Sequence, residues 1–284
     1  MRYPRTIGRG AVFLALILSL SPKRAFPNVA QNLLPRSPNA NSAPRAADIA
    51  PCHHPLVPTE TLPRHAGESV RYRLAIDGIS VGTVDFKIER NGTHHGIPVT
   101  EYRSLFRLDA LLSAFLPIDG RAAVLIPQSS PVPTMAMNTY RLARTYFTER
   151  TTFAHDGTQV QSVRSKNGQT KRSQRSFGAP VTDFLAGYYW LRTATPRARA
   201  CTIVYANQRA YTIWLAPEGT ESIATPVGRR SAHRYAVTYA SEKGQHAING
   251  TLWLATDASH LPYRVTMSAD NTIDATIHLY DPGR

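Results

Sequence analysis

The chain has 284 residues, with 33 Lys and Arg against 19 Asp and Glu, and a formal net charge of +14. Beyond residue 20 no stretch approaches eighteen uninterrupted apolar residues, which excludes a membrane-spanning helix from the rest of the chain. About 215 residues follow the last leader-like segment, an ordinary length for one all-β unit.

Arg2, Arg5 and Arg9 precede the apolar run Ala11–Leu20, and Pro22, Lys23 and Arg24 end it. Ten apolar residues are too few to cross a bilayer and suit the core of a secretory signal peptide over residues 1–30. Ala30 closes a cleavage context, with Ala25 as its rival, and an uncleaved anchor is the alternative. This segment holds five of the basic residues and none of the acidic ones, so the exported chain keeps 28 against 19, net +9. Export, with a periplasmic location, argues against nucleic acid as a partner. Such charge would meet anionic lipid, lipopolysaccharide phosphate or an acidic polymer at the envelope, or serve solubility alone.

Residues 31–66 hold seven prolines (Pro35, Pro38, Pro44, Pro51, Pro55, Pro58 and Pro63) and no periodic apolar pattern. That composition predicts a flexible or extended leader that buries little. The only cysteines are Cys52 and Cys201. In an oxidising compartment they are expected to pair, stapling the leader to the domain. His53 and His54 beside Cys52 read as solvated rather than as metal ligands.

From Ser69 onward the grammar is that of strands. Val70, Tyr72, Leu74 and Ile76 alternate with Arg71 and Arg73; Val84, Phe86 and Ile88 alternate with Asp85, Lys87 and Glu89. This period of two marks half-buried antiparallel strands. Asn91-Gly92 offers a hairpin turn beside His94 and His95, whose adjacent side chains are expected to point apart. Residues 138–153 read as two strands or one bent one, with turns at Asp156-Gly157 and Asn167-Gly168. Five further strands are predicted after residue 210. Tyr235, Val237 and Tyr239 alternate with Arg234, Ala236 and Thr238 in one, and Tyr263, Val265 and Met267 with Arg264, Thr266 and Ser268 in another. Ten to twelve antiparallel strands cannot lie in one flat sheet and must curl, close or split into layers. The expected architecture is an all-β domain over residues 67–284, a strongly curved sheet or half-barrel with one short helix in its concave face.

Two stretches resist the strand reading. Residues 106–117 carry Phe106, Leu108, Leu111, Leu112 and Phe115, too many apolar side chains for a surface loop. They are expected either in the core or at the mouth of an apolar cavity. In "VTDFLAGYYWLRT" (181–193) Asp183 can cap a helix running to about Arg192, with Phe184, Leu185, Tyr188 and Leu191 on one face. Tyr188, Tyr189 and Trp190 would form the cavity's opposing wall. The tract 164–175 presents Arg164, Lys166, Lys171, Arg172 and Arg175 without an acidic residue among them. It reads as a solvated hairpin or as a contact for phosphate groups.

"GESVRYRLAIDGISVGTVDF" (67–86), with Gly67, Glu68, Tyr72, Gly78, Ile79 and Gly82, resembles the opening of a family of exported Gram-negative proteins catalogued only as a domain of unknown function. "TDFLAGYYWLR" resembles that family's Asp-x-x-small-x-x-Tyr-x-x-Arg helix, and "LWLATDASHLPYRV" its Trp-Leu-x-x-Asp-x-x-x-x-Pro hairpin. The likeness spans about residues 67–280 and departs at Ala186, where a serine is expected, and in the long leader. It implies an envelope β-domain without an assigned activity. The curved sheet is similar to periplasmic lipoprotein carriers, whose half-barrels hold acyl chains under a helix.

No nucleophile elbow, zinc-protease motif, phosphate-cradling glycine loop or Cys-x-x-Cys occurs. Asp257 and His260 read as turn residues, and Asp183 as a helix cap. The expected function is non-catalytic, without cofactor or metal: binding of a lipid or other amphipathic envelope component. The rival expectation is a structural or protein-interaction module with a filled core.

Overall fold

A computed structural model describes residues 52, 55–58, 62–193, 196–242, 247–269 and 273–281 of the chain. The predicted signal peptide, most of the predicted leader, His53 and His54 lie outside the described residues. Among the described residues fifteen strands form one sheet, in the spatial order β8-β7-β6-β5-β4-β3-β2-β1-β15-β14-β13-β12-β11-β10-β9. The first half comprises β1 (Ser69–Ile76), β2 (Ile79–His94), β3 (Ile97–Leu108), β4 (Ile118–Pro127), β5 (Met135–Leu142), β6 (Thr145–Phe153), β7 (Gln159–Lys166) and β8 (Gln169–Ser176). The second comprises β9 (Val181–Thr182), β10 (Ala200–Ala206), β11 (Arg209–Thr225), β12 (Gly228–Ser241), β13 (Ile248–Ala255), β14 (Pro262–Ala269) and β15 (Ile273–Asp281). Every pairing is antiparallel except that of β9 with β10. Among the described residues two helices interrupt the strands, α1 (Ala110–Phe115) between β3 and β4, and α2 (Phe184–Thr193) between β9 and β10.

The alternation predicted for β1 is the one observed: Val70, Tyr72 and Leu74 are buried while Arg71 and Arg73 face solvent. Curvature needs backbone to approach backbone closely, and two glycines permit it. A Cβ at Gly82 in β2 would overlap the carbonyl oxygen of Arg107 in β3, and one at Gly250 in β13 that of Thr266 in β14.

The sheet edges β8 and β9 do not pair with each other. Side chains bridge the gap instead. The buried Glu149 carboxylate on β6 accepts from Asn207 N–H (2.7 Å) and Gln208 N–H (3.0 Å) in the β10–β11 turn, and from Ser162 Oγ (2.7 Å). Tyr140 Oη donates to Asn207 Oδ1 at 2.8 Å, and Tyr205 Oη to Ser173 Oγ at 3.2 Å. An unclosed sheet thus curls into a cup.

Some sequence expectations shift. The Asn91-Gly92 turn falls at His95-Gly96, where φ is 49° and 79°, while β2 runs on through Asn91. This left-handed step brings the His94 and His95 rings within 4.2 Å instead of splaying them. The leader's described end is packed, where its composition suggested little burial. Leu62 is buried, Tyr102 Oη donates to Pro63 O at 2.7 Å, and Arg64 donates to Gln128 O. Cys52 and Cys201 are disulfide-bonded, and Leu56 N–H donates to Cys201 O beside the bond.

Candidate functional site

Helix α2 begins at the cap predicted for it: Ala186 N–H donates to Asp183 Oδ1 at 2.8 Å. Burial pushes the Asp183 carboxyl up to about 6, against the opposing effect of its hydrogen bonds from Ala186 and Leu185. The helix is buried on two sides. Leu185, Ala186, Tyr189 and Trp190 enter a core built on Ile88, Tyr102, Val124 and Ile126. There the Tyr189 ring lies 4.4 Å from that of Tyr102, and Trp190 Nε1–H donates to Pro131 O at 2.9 Å. On the other side Tyr188 stacks on Phe86 with ring centroids 4.1 Å apart, and its hydroxyl is 3.0 Å from that of Tyr72. Desolvation raises the Tyr188 phenol to about 12 and that of Tyr72 well above the ordinary value, so both stay neutral.

Beneath this second side lies a partly open cavity of about 200 Å³. Its walls come from α2 and from the inward faces of β1–β5 and β10–β15. The strand register explains the space. Phe86, Ser104, Ala122 and Asn138 are successive partners across β2, β3, β4 and β5, so two of the smallest side chains lie side by side on one inward rung. The neighbouring inward rung carries Phe106, Gly120 and Tyr140. No Asp, Glu, Lys, Arg or His lines the cavity. Asn138, Thr202 and Tyr239 are among its lining residues, and their Oδ1, Oγ1 and Oη atoms are sealed from solvent without a hydrogen-bond partner.

Of the residues expected around a cavity, Phe106 and Tyr188 line it, and so do Phe184, Leu185 and Leu191 of the predicted helix face. Leu108 is half-buried and packs on the adjoining core cluster, and Tyr189 and Trp190 point to the opposite side of α2. The expectation of burial for the α1 residues is corrected. Leu111, Leu112 and Phe115 are 74%, 38% and 83% exposed, because α1 sits outside the sheet and buries nothing. Ser104, Ala122, Asn138 and Thr202 were not singled out. Strand alternation points such residues inward, but only the register between distant strands gathers them on one wall.

The basic tract forms the β7–β8 hairpin, turning at Asn167-Gly168. Lys166, Lys171 and Arg172 are exposed on it. Arg164 turns back, donating to Tyr140 Oη at 2.7 Å, and Arg175 pairs with Glu242 at 2.8 Å. By the register Lys166 and Lys171 share one face of the hairpin, while Arg172 lies on the other with Val163.

Arg192, near the end of α2, is buried and links all three motifs of the resemblance. It donates to the Glu68 carboxylate and to Ser259 O (3.1 Å), and its own carbonyl accepts from His260 Nδ1 at 2.9 Å. Asp257 accepts from Ser259 Oγ–H at 2.5 Å and from Ser259 N–H at 2.9 Å, and these bonds hold its carboxyl below the usual range. Asp257 and His260 thus shape a turn that receives Arg192.

Residues 69–278 match the model of a family described as "Protein of unknown function (DUF3108)". The chain belongs to this family. No match is found among curated proteins. The DUF3108 chain is similar to three solved structures. The β-barrel-like protein of domain DUF1849 from Brucella abortus has a TM-score of 0.47 at 11% identity, over 80% of this chain and 99% of that one. The hypothetical lipoprotein YmcC from Escherichia coli gives 0.29 at 6%, over 79% and 92%. A Bacteroides fragilis protein described as exported and YmcC-like in fold gives 0.33 at 9%, over 77% and 96%. Among the described residues of the DUF3108 chain no helix is long and apolar enough to cross a membrane.

Proposed function

We propose that this protein is a non-catalytic, exported component of the cell envelope that holds a lipid or other amphipathic ligand inside its cup. The carrying observation is the apolar cavity between α2 and the sheet, which packing leaves unfilled although the helix has a second, densely packed face. Interiors pack at near-crystalline density, so a cavity of about 200 Å³ lined by twelve elements is a feature to be explained. Export is supported by the basic segment and apolar run of residues 1–24, and the oxidising compartment by the Cys52–Cys201 disulfide. The non-catalytic reading is supported by the roles already taken by Asp183, Asp257 and His260, each engaged in a cap or a turn.

Native mass spectrometry of the protein isolated from the periplasm, before and after organic extraction, tests this reading. The expected result is a mass excess that extraction removes and that reappears as a lipid in the organic phase. A bare chain mass, two hydrogens light for the disulfide, would favour a module whose core carries no ligand.

A further inference from the structure

We infer that one rim of the cup, carrying α1 and the tip of the β7–β8 hairpin, docks on an anionic bilayer surface. The inference goes beyond ligand binding and does not require a loaded cavity. Pairing is antiparallel from β1 to β8, so the ends of β1, β3, β5 and β7 reach the same rim. They are followed there by Asp77-Gly78, α1, Ala143-Arg144 and Asn167-Gly168. Hydrogen bonds join these connections side by side. Ser80 Oγ donates to Asp109 Oδ2 at 2.9 Å, Ala143 N–H to Pro117 O at 3.0 Å, and Asn167 N–H to Tyr146 O at 2.9 Å.

Leu108 and Leu116, which flank α1, pack on a core cluster, so the helix is held in place while its own side chains stay outside. The three most exposed large apolar side chains among the described residues, Phe115, Leu111 and Ile79, all stand on this rim. Tyr146 adds an exposed ring. A patch of this kind is stabilised by burial against a partner.

Charge identifies the partner. Arg107, Arg144, Lys166 and Lys171 are exposed around the patch, and none of them forms a salt bridge among the described residues. Of the acids on this part of the rim, Asp119 is paired with Arg141, Asp109 is bonded to Ser80, and Asp77 stands exposed. Cations around exposed Leu and Phe match a bilayer, whose phosphates lie outside its acyl chains. A second copy of this chain would bring the same cations against them. The cavity lies in the same half of the cup: Leu74 and Phe106 in its lining stand two residues from the ends of β1 and β3. The opposite rim is tied by Arg192 to Glu68 and Ser259. A cup docked in this way turns the cavity's half toward the bilayer.

Flotation of the extracted, disulfide-bonded protein with phosphatidylcholine vesicles, with and without phosphatidylglycerol, tests the docking. Wild type is expected to float with both and to prefer the anionic vesicles, a preference that high salt removes. Leu111→Ser combined with Phe115→Ser is expected to weaken binding to both by at least about tenfold. Lys166→Gln combined with Lys171→Gln is expected to lose about fivefold per charge, on the anionic vesicles alone. Circular dichroism confirms that each variant folds, and Phe115→Ser alone replaces the serine pair if that pair does not. Wild type that floats with neither vesicle overturns the docking and leaves the proposed function to its own mass-spectrometric test. Binding retained by both variants overturns the assignment to this rim. Equal binding to the two vesicles overturns the role of the cations. Self-association of wild type in sedimentation velocity, lost in the serine variant and without flotation, gives the patch to a second copy and overturns the bilayer.

Discussion

Gly82 and Gly187 show how little side chain this architecture tolerates in one place and how much in another. At Gly82 the obstacle is backbone, the carbonyl of Arg107, which cannot move without breaking the β2–β3 ladder. Gly82→Ala is expected to lower unfolding free energy by about 1–3 kcal/mol in urea titrations, the range for overpacking. At Gly187 an added Cβ would meet only Thr182 Cγ2 at 3.6 Å and Val204 Cγ2 at 3.8 Å, ordinary contacts. Gly187→Ala should therefore stabilise by about 0.5–1 kcal/mol, the helix-propensity gain. Asp183 carries a pH dependence of unusual sign for a carboxylate. Its folded-state pKa, about 6, lies above the unfolded value near 4. The folded chain therefore holds this proton more tightly. Its stabilising contribution is fully present below about pH 4 and is lost as pH rises through about 6. His278, whose pKa is lowered by burial and by Arg264, acts in the opposite sense on acidification. The informative comparison is thus between chains: Asp183→Asn, which keeps the cap, should gain on wild type by about 2 kcal/mol between pH 4.5 and pH 7.5.

At the scale of elements, α1 and α2 have similar apolar composition and opposite fates. Changing Leu112 and Phe115 together to serine should shift stability by no more than about 1 kcal/mol in thermal or urea unfolding, because both are exposed on α1. A loss of several kcal/mol would show that they are buried. Here lies the limit of what was legible in the sequence. The alternation in β1 and β2, the two-strand reading of 138–153, the cap at Asp183 and the cysteine pair all express local periodicity or simple chemistry. Strand β10 and the polar edge strand β8 carry weak local signals and are held by their partners, β11 and β7. The cavity was legible only as an idea. Its wall depends on Ser104, Ala122 and Asn138 meeting in register, a property of strand pairing rather than of any one segment. Tyr188 and Tyr189 are adjacent in sequence, yet only Tyr188 lines the cavity, because successive helix residues point about 100° apart.

At the scale of the whole molecule, a covalent tie, a side-chain seam and an internal void define the cup. The disulfide joins residues 149 apart and anchors the leader's end over β10. Cys52→Ser should cost about 2–5 kcal/mol and open the segment around Leu56 and Leu62 to limited proteolysis, which peptide mapping would register. The central claim is the void itself, and its sign can be read from one substitution. Ala122→Leu adds three carbons at the cavity wall. The measurement is the urea unfolding free energy of extracted, disulfide-bonded Ala122→Leu against wild type. If the cavity is unfilled, the larger side chain enters it and stability stays level or rises by up to about 2 kcal/mol. A loss of about 1–3 kcal/mol, the response of a core already packed, would contradict the account.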